Sequence, residues 1–110
     1  MRYAISDEEL IAETVHRIVG VLHPRRVVLF GSRARGEARP ESDIDLLVIA
    51  ESSEPRYRRA IPLYEALSDI PVPMDIIVYT PEEVEEWSGV RQAFVTTALR
   101  EGIVLYEDRG

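Results

Sequence analysis

Residues 43–50 read Asp-Ile-Asp-Leu-Leu-Val-Ile-Ala, two carboxylates two positions apart that run straight into five apolar residues. A run this continuous has no polar face to turn to water. It is therefore expected as a strand at the centre of a sheet, with other elements covering both sides, and not at an exposed edge.

The rest of the chain supplies the cover. Ser6-Asp7-Glu8-Glu9 has the form of a capping box, with Ser6 at the cap and Glu9 three positions on. Ile11, Val15, Ile18 and Leu22 follow at helical spacing, which predicts an amphipathic helix over 7–22 that stops at His23-Pro24. Val27-Val28-Leu29-Phe30 predicts a short buried strand ending at Gly31. Residues 56–69 read as a helix that Pro62 kinks or starts, and 74–79 as a third strand. Thr80-Pro81-Glu82-Glu83 is a second capping box, opening a helix to Trp87. Val90, Phe94, Ala98 and Leu99 predict a last amphipathic helix closed by Gly102, and 103–106 a final strand. The expected fold is a single α/β (α+β) domain over 1–110: a small mixed sheet of about four strands flanked by helices.

Composition narrows the function. The chain has 110 residues, no Cys and a formal net charge of -7. The missing cysteines remove disulfides, thiolate metal sites and thiol nucleophiles. The acidity argues against holding DNA or RNA by phosphate neutralisation. All 13 basic residues are Arg, so no lysine can serve in any chemistry. No apolar run approaches the roughly 20 residues that span a bilayer, and the charged start does not read as a signal peptide. A cytoplasmic protein without membrane contact is the expectation.

Asp43 and Asp45 are the first chemical anomaly. At i and i+2 on a strand they share a face about 6–7 Å apart, so burial sets them against each other. A divalent cation resolves the conflict, and Mg²⁺ suits it, because it takes one or two carboxylates and fills its other positions with water and phosphate oxygens. Solvated charges at the wet end of a strand are the alternative. Gly31-Ser32 is the second anomaly. A buried strand ends in Gly, and Ser opens what reads as a helical turn whose free N–H groups suit a phosphate. A plain Ser cap would look the same. Gly31 and Gly36 have the spacing of a P-loop, but Glu37 stands where that motif needs Lys. Asp75 heads the strand Ile76-Ile77-Val78 and converges on the Asp43/Asp45 face if the two strands are neighbours. It would then complete a metal site or accept a proton. Arg33, Arg35 and Arg39 flank the turn within reach of phosphates, although solvated arginines are common in such loops. His16 and His23 lie about 10 Å apart along one helix, too far to share a metal.

Taken together, Gly31-Ser32, ten intervening residues, Asp43-x-Asp45, an apolar strand and a later strand-borne Asp75 resemble the polymerase-β-like nucleotidyltransferase superfamily. The likeness is to its minimal (MNT) members, and it runs from Val27 to Tyr106. The resemblance implies that Gly31, Ser32 and Arg33 bind nucleotide, and that Asp43, Asp45 and Asp75 are catalytic and metal-binding. Two Mg²⁺ ions would support in-line transfer from a nucleoside triphosphate, with ATP expected. It also implies a HEPN-type helical partner protein in a toxin–antitoxin pair, with this chain as the antitoxin transferring AMP to a partner tyrosine. An acidic chain of this length, with no evident acceptor-binding domain, agrees with an acceptor presented by another protein. A non-catalytic nucleotide-binding antitoxin that neutralises its partner by contact is the alternative.

Overall fold

The computed structural model describes residues 7–39, 42–90 and 93–108. In chain order the elements are α1 (Asp7–Leu22), β1 (Arg26–Phe30), β2 (Ile44–Ile49), α2 (Arg56–Arg59), α3 (Ile61–Ala66), β3 (Met74–Tyr79), α4 (Pro81–Trp87), α5 (Phe94–Glu101) and β4 (Ile103–Glu107). The four strands form one sheet of order β3-β2-β1-β4. The apolar run makes β2, a central strand as its composition requires. It is antiparallel to β1 and parallel to β3, and β1 is antiparallel to β4. The sheet is therefore mixed.

Strand alternation sends the apolar side chains to two separate cores. Ile44, Leu46 and Val48 join Val27, Leu29, Ile76 and Val78 beneath Ile18 of α1 and Leu63 of α3. On the opposite face Leu47 and Ile49 join Val28 beneath Val95 and Ala98 of α5. Leu46, Leu47 and Val48 are completely buried. At about 1.5–3 kcal/mol for each such side chain, β2 is the strand the domain can least do without.

Local sequence explains the boundaries. α1 ends at Leu22, and His23 just beyond it takes a left-handed φ of +50° ahead of Pro24. The capping box at α4 forms in full: the Glu83 N–H donates to Thr80 Oγ1 at 3.2 Å, and the Thr80 N–H donates to the Glu83 carboxylate at 2.9 Å. The first capping box has Ser6 as its cap, which lies outside the described residues. Three expectations shift. The helix expected over 56–69 is two pieces broken at Ala60, because Pro62 in the first turn of α3 has no N–H to continue the ladder from α2. The last helix begins at Phe94, with Ala93 as its cap, and Val90 falls outside it. β2 begins at Ile44, whose N–H makes the bond to Pro73 O, so Asp43 stands just outside the sheet. Among the described residues no helix is long and apolar enough to cross a membrane.

Candidate active site

The pairing pattern brings three chain segments to one end of the sheet. β1 is antiparallel to β2, so the end of β1 lies at the start of β2, with Phe30 opposite Asp45. β3 is parallel to β2, so both strands start at this same end, and Asp45 is the register partner of Asp75. Register partners on adjacent strands lie about 4.8 Å apart and point to the same face. Asp45 and Asp75 therefore continue the face of Leu47 and Ile77 past its apolar part. Asp43 precedes them by one pleat and is exposed, Asp75 is exposed, and Asp45 is half-buried.

The turn that follows β1 closes the site. Gly31 has φ +76°, a conformation only glycine takes freely. A Cβ on Gly31 would collide with the Asp45 carboxylate, so the backbone of the turn lies directly against that side chain. Residues 31–37 then wind through one tight turn: the Ala34 and Arg35 N–H groups donate to Gly31 O at 3.1 and 3.2 Å, and Glu37 N–H donates to Ser32 O at 2.9 Å. The N–H groups of Ser32 and Arg33 donate to nothing among the described residues. Such unpaired donors at the start of a turn are suited to an anion.

Crowding shows in the ionisation of Asp45. Burial pushes its carboxyl above the ordinary aspartate value, and the charges of Asp75 and then Asp43 push it further, with Arg33 and Arg35 pulling the other way. A partly buried carboxylate with like charges beside it has an unmet need for positive charge. Among the described residues, however, no three acidic or imidazole side chains stand close enough to enclose one ion. Mg²⁺ needs no such cage, because it is held by one or two carboxylates and takes its remaining oxygens from water and substrate phosphate. The donor set therefore fits Mg²⁺ arriving with a nucleotide, next to the unpaired N–H groups of the turn.

A match to the nucleotidyltransferase domain family model covers residues 9–105, nearly the whole chain. The chain belongs to that family. No curated protein matches it by sequence. Among solved structures, it is similar to a candidate nucleotidyltransferase from Sulfolobus solfataricus, at 22% identity and a TM-score of 0.63, covering 89% of this chain and 78% of that one. It is also similar to a toxin–antitoxin structure with AMP-PNP, at 22% identity and a TM-score of 0.53, covering 94% of this chain and 76% of that one. A mutant of the toxin–antitoxin MntA–HpeT gives 20% identity and a TM-score of 0.51, again covering 94% and 76%. These likenesses are likenesses of fold, and that fold is the nucleotidyltransferase one expected from the motif.

At this candidate site the two arginines of the turn are placed differently, in a way the sequence does not show. Arg33, expected to touch the nucleotide, turns its side chain inward. Only 5% of it is exposed, and it donates to Ser42 O at 2.7 Å, Asp43 O at 3.3 Å and the Asp7 carboxylate at 2.8 Å. Arg35 remains exposed. It is hydrogen-bonded to Glu37 at 2.6 Å, and its guanidinium also feels the charges of Glu101 and Asp45. A cavity of about 120 Å³ shares Gly31 and Arg35 with the turn and is walled by Phe30, Phe94 and Glu101. Phe30 and Phe94 meet edge to face there. No motif announces α5 as a wall of the site, since it reaches β1 only through the fold.

Proposed function

We propose that the protein transfers AMP from ATP to a hydroxyl, that of a tyrosine on a HEPN-type helical partner, and that it acts as the antitoxin of such a pair. The observation that carries this reading is the register match of Asp45 with Asp75, directly against the Gly31 turn. It puts negatively charged metal-seeking groups and unpaired phosphate-seeking groups side by side. The toxin–antitoxin structure with AMP-PNP, which shares this fold, supports both the nucleotide and the protein partner.

The turn receives the triphosphate on the Ser32 and Arg33 N–H groups and the Ser32 hydroxyl, with the Arg35 guanidinium swinging from Glu37 to a phosphate oxygen. Asp43 and Asp45 would hold Mg²⁺, which would supply positive charge to stabilise the oxygens that become negative during transfer. The partner's hydroxyl oxygen attacks the α-phosphorus in line. The bond to the bridging oxygen of the β-phosphate breaks, and pyrophosphate leaves. Asp75, exposed at the mouth of β3, accepts the hydroxyl proton.

The test is intact-mass spectrometry of the helical protein encoded beside this chain, after incubation with the chain, Mg²⁺ and each nucleoside triphosphate in turn. A gain of one or more AMP units, absent with Asp43→Ala/Asp45→Ala, is the expected result. A stable complex with no mass gain from any triphosphate would instead identify a module that neutralises by binding.

A further inference from the structure

Asp45 and Asp75 are positioned by strand register. Asp43 is not: it precedes the first ladder bond of β2 and is exposed, so the sheet does not hold it. Its backbone carbonyl is instead gripped by the Arg33 guanidinium at 3.3 Å, and the same group takes Ser42 O at 2.7 Å. The third arm of that group ends on Asp7, the first residue of α1. One buried cation thus ties together the turn that carries the phosphate-seeking N–H groups, the two residues leading into β2 and the start of α1.

We infer that Arg33 is a positioning residue for metal capture: it fixes Asp43 at the distance from Asp45 at which the pair holds Mg²⁺, with Asp7 orienting the guanidinium, and its side chain does not touch the nucleotide. The chemistry favours this assignment over a phosphate contact. A planar guanidinium already satisfied by two carbonyls and a carboxylate would have to abandon all three, from a buried position, to reach a phosphate. Positioning by an outer partner of this kind typically changes metal affinity about 10–100-fold.

The inference rests on the proposed nucleotide and Mg²⁺ reading, and the experiment separates the two. ATP binding is measured by calorimetry with Mg²⁺ and again in excess EDTA, on the wild type and on Arg33→Lys, Asp7→Asn, Asp43→Asn and Arg33→Lys/Asp43→Asn, with Tm recorded for each. Lysine keeps the charge that a phosphate would sense, but one ammonium cannot span the three acceptors. Expected for Arg33→Lys is EDTA affinity within twofold of wild type, loss of at least tenfold of the affinity gained from Mg²⁺, and no further loss on adding Asp43→Asn. Asp7→Asn, a surface change that spares the fold, should lose severalfold of the same Mg²⁺-dependent gain. An intact Mg²⁺-dependent gain in Arg33→Lys or Asp7→Asn, equal losses with and without metal, or additive losses in the double variant would each overturn the inference. A wild type whose ATP affinity does not respond to Mg²⁺ would overturn the functional reading itself.

Discussion

Two buried arginines sit at opposite ends of the β2–β3 pair, and they are surrounded differently. Arg59, with 9% of its side chain exposed, lies at the far end of β3. It donates to Val78 O at 3.2 Å, Glu54 O at 2.9 Å and both oxygens of Glu83. Glu83 is enclosed in turn by Arg56 at 3.1 Å and the Thr80 N–H at 2.9 Å. Arg59 and Glu83 each have several partners there, and the cluster welds α2 to the start of α4. At the opposite end, Arg33 is as deeply buried, but its acidic partner Asp7 is mostly exposed, and the carboxylates nearby repel one another. The first cluster is a closed electrostatic circuit and serves stability. The second leaves surplus negative charge beside unpaired N–H donors, which suits a site completed by Mg²⁺ and phosphate.

Substitutions at the two ends should therefore fail in different ways. The largest expected effect is at Asp45. If the proposed site is right, Asp45→Asn removes a charge needed only when metal and nucleotide are bound, so nucleotidyl transfer should fall about 10³-fold, with Tm held or slightly raised because repulsion from Asp43 and Asp75 is relieved. Kinetics beside a thermal melt will show it, and a drop of several degrees in Tm would mean that Asp45 serves the fold instead. Arg59→Met should do the reverse. It strips charged hydrogen bonds from a largely buried Glu83, costing about 2 kcal/mol of stability while leaving the rate per folded molecule near wild type. Urea unfolding gives the first quantity and an active-site-normalised assay the second. Gly31→Ala joins the two behaviours. The left-handed backbone costs about 1–2 kcal/mol for a residue with a Cβ, and the collision with the Asp45 carboxylate displaces a site residue, so stability and activity should fall together. A variant with wild-type activity would show that the turn can shift without consequence.

How much of this was legible in the sequence depends on whether a residue's role is local. The central position of β2 follows from Leu46–Ala50 being apolar without interruption. The α4 cap follows from Thr80 and Glu83, because a capping box is complete within four residues. The convergence of Asp45 and Asp75 was readable only conditionally, since it depends on β2 and β3 being neighbours, a long-range pairing that no local pattern states. The side chain of Arg33 was out of reach for the same reason. Three arginines in one polar loop look equivalent, and only the return of residues 42–43 and the approach of Asp7 make one of them internal. The break at Ala60 was half readable: Pro62 marks a disturbance, but a kink and a restart leave the same mark in the sequence.

The smallest effect is the clearest contrast in sign. Burial alone would raise the Glu83 carboxyl, but Arg59, the Thr80 N–H and Arg56 overcome it and hold the group down at about 2, against an ordinary value of 4.5. A carboxyl depressed in the folded state contributes stability that is complete above 4.5 and is lost as pH falls from there toward 2. Asp45 is shifted the other way. Its folded state holds its proton more tightly than the unfolded chain does, so its ionisation costs stability as pH rises from the ordinary aspartate value of 3.8 through the raised one. Between roughly pH 3 and 5 the two ends of the β2–β3 pair should therefore pull the unfolding free energy in opposite directions. Urea midpoints across that range should steepen with pH in Asp45→Asn, where the opposing Asp45 contribution is gone, and flatten in Glu83→Gln, where of these two only Asp45 remains beside the depressed Asp69 that Arg17 holds down. Saturating Mg²⁺ and ATP should bring the wild-type profile toward that of Asp45→Asn, because a cation beside Asp45 removes the reason its carboxyl resists ionisation. A profile that ignores ligand while responding to Glu83→Gln would show that the repulsion at the mouth of β2 is not relieved by metal.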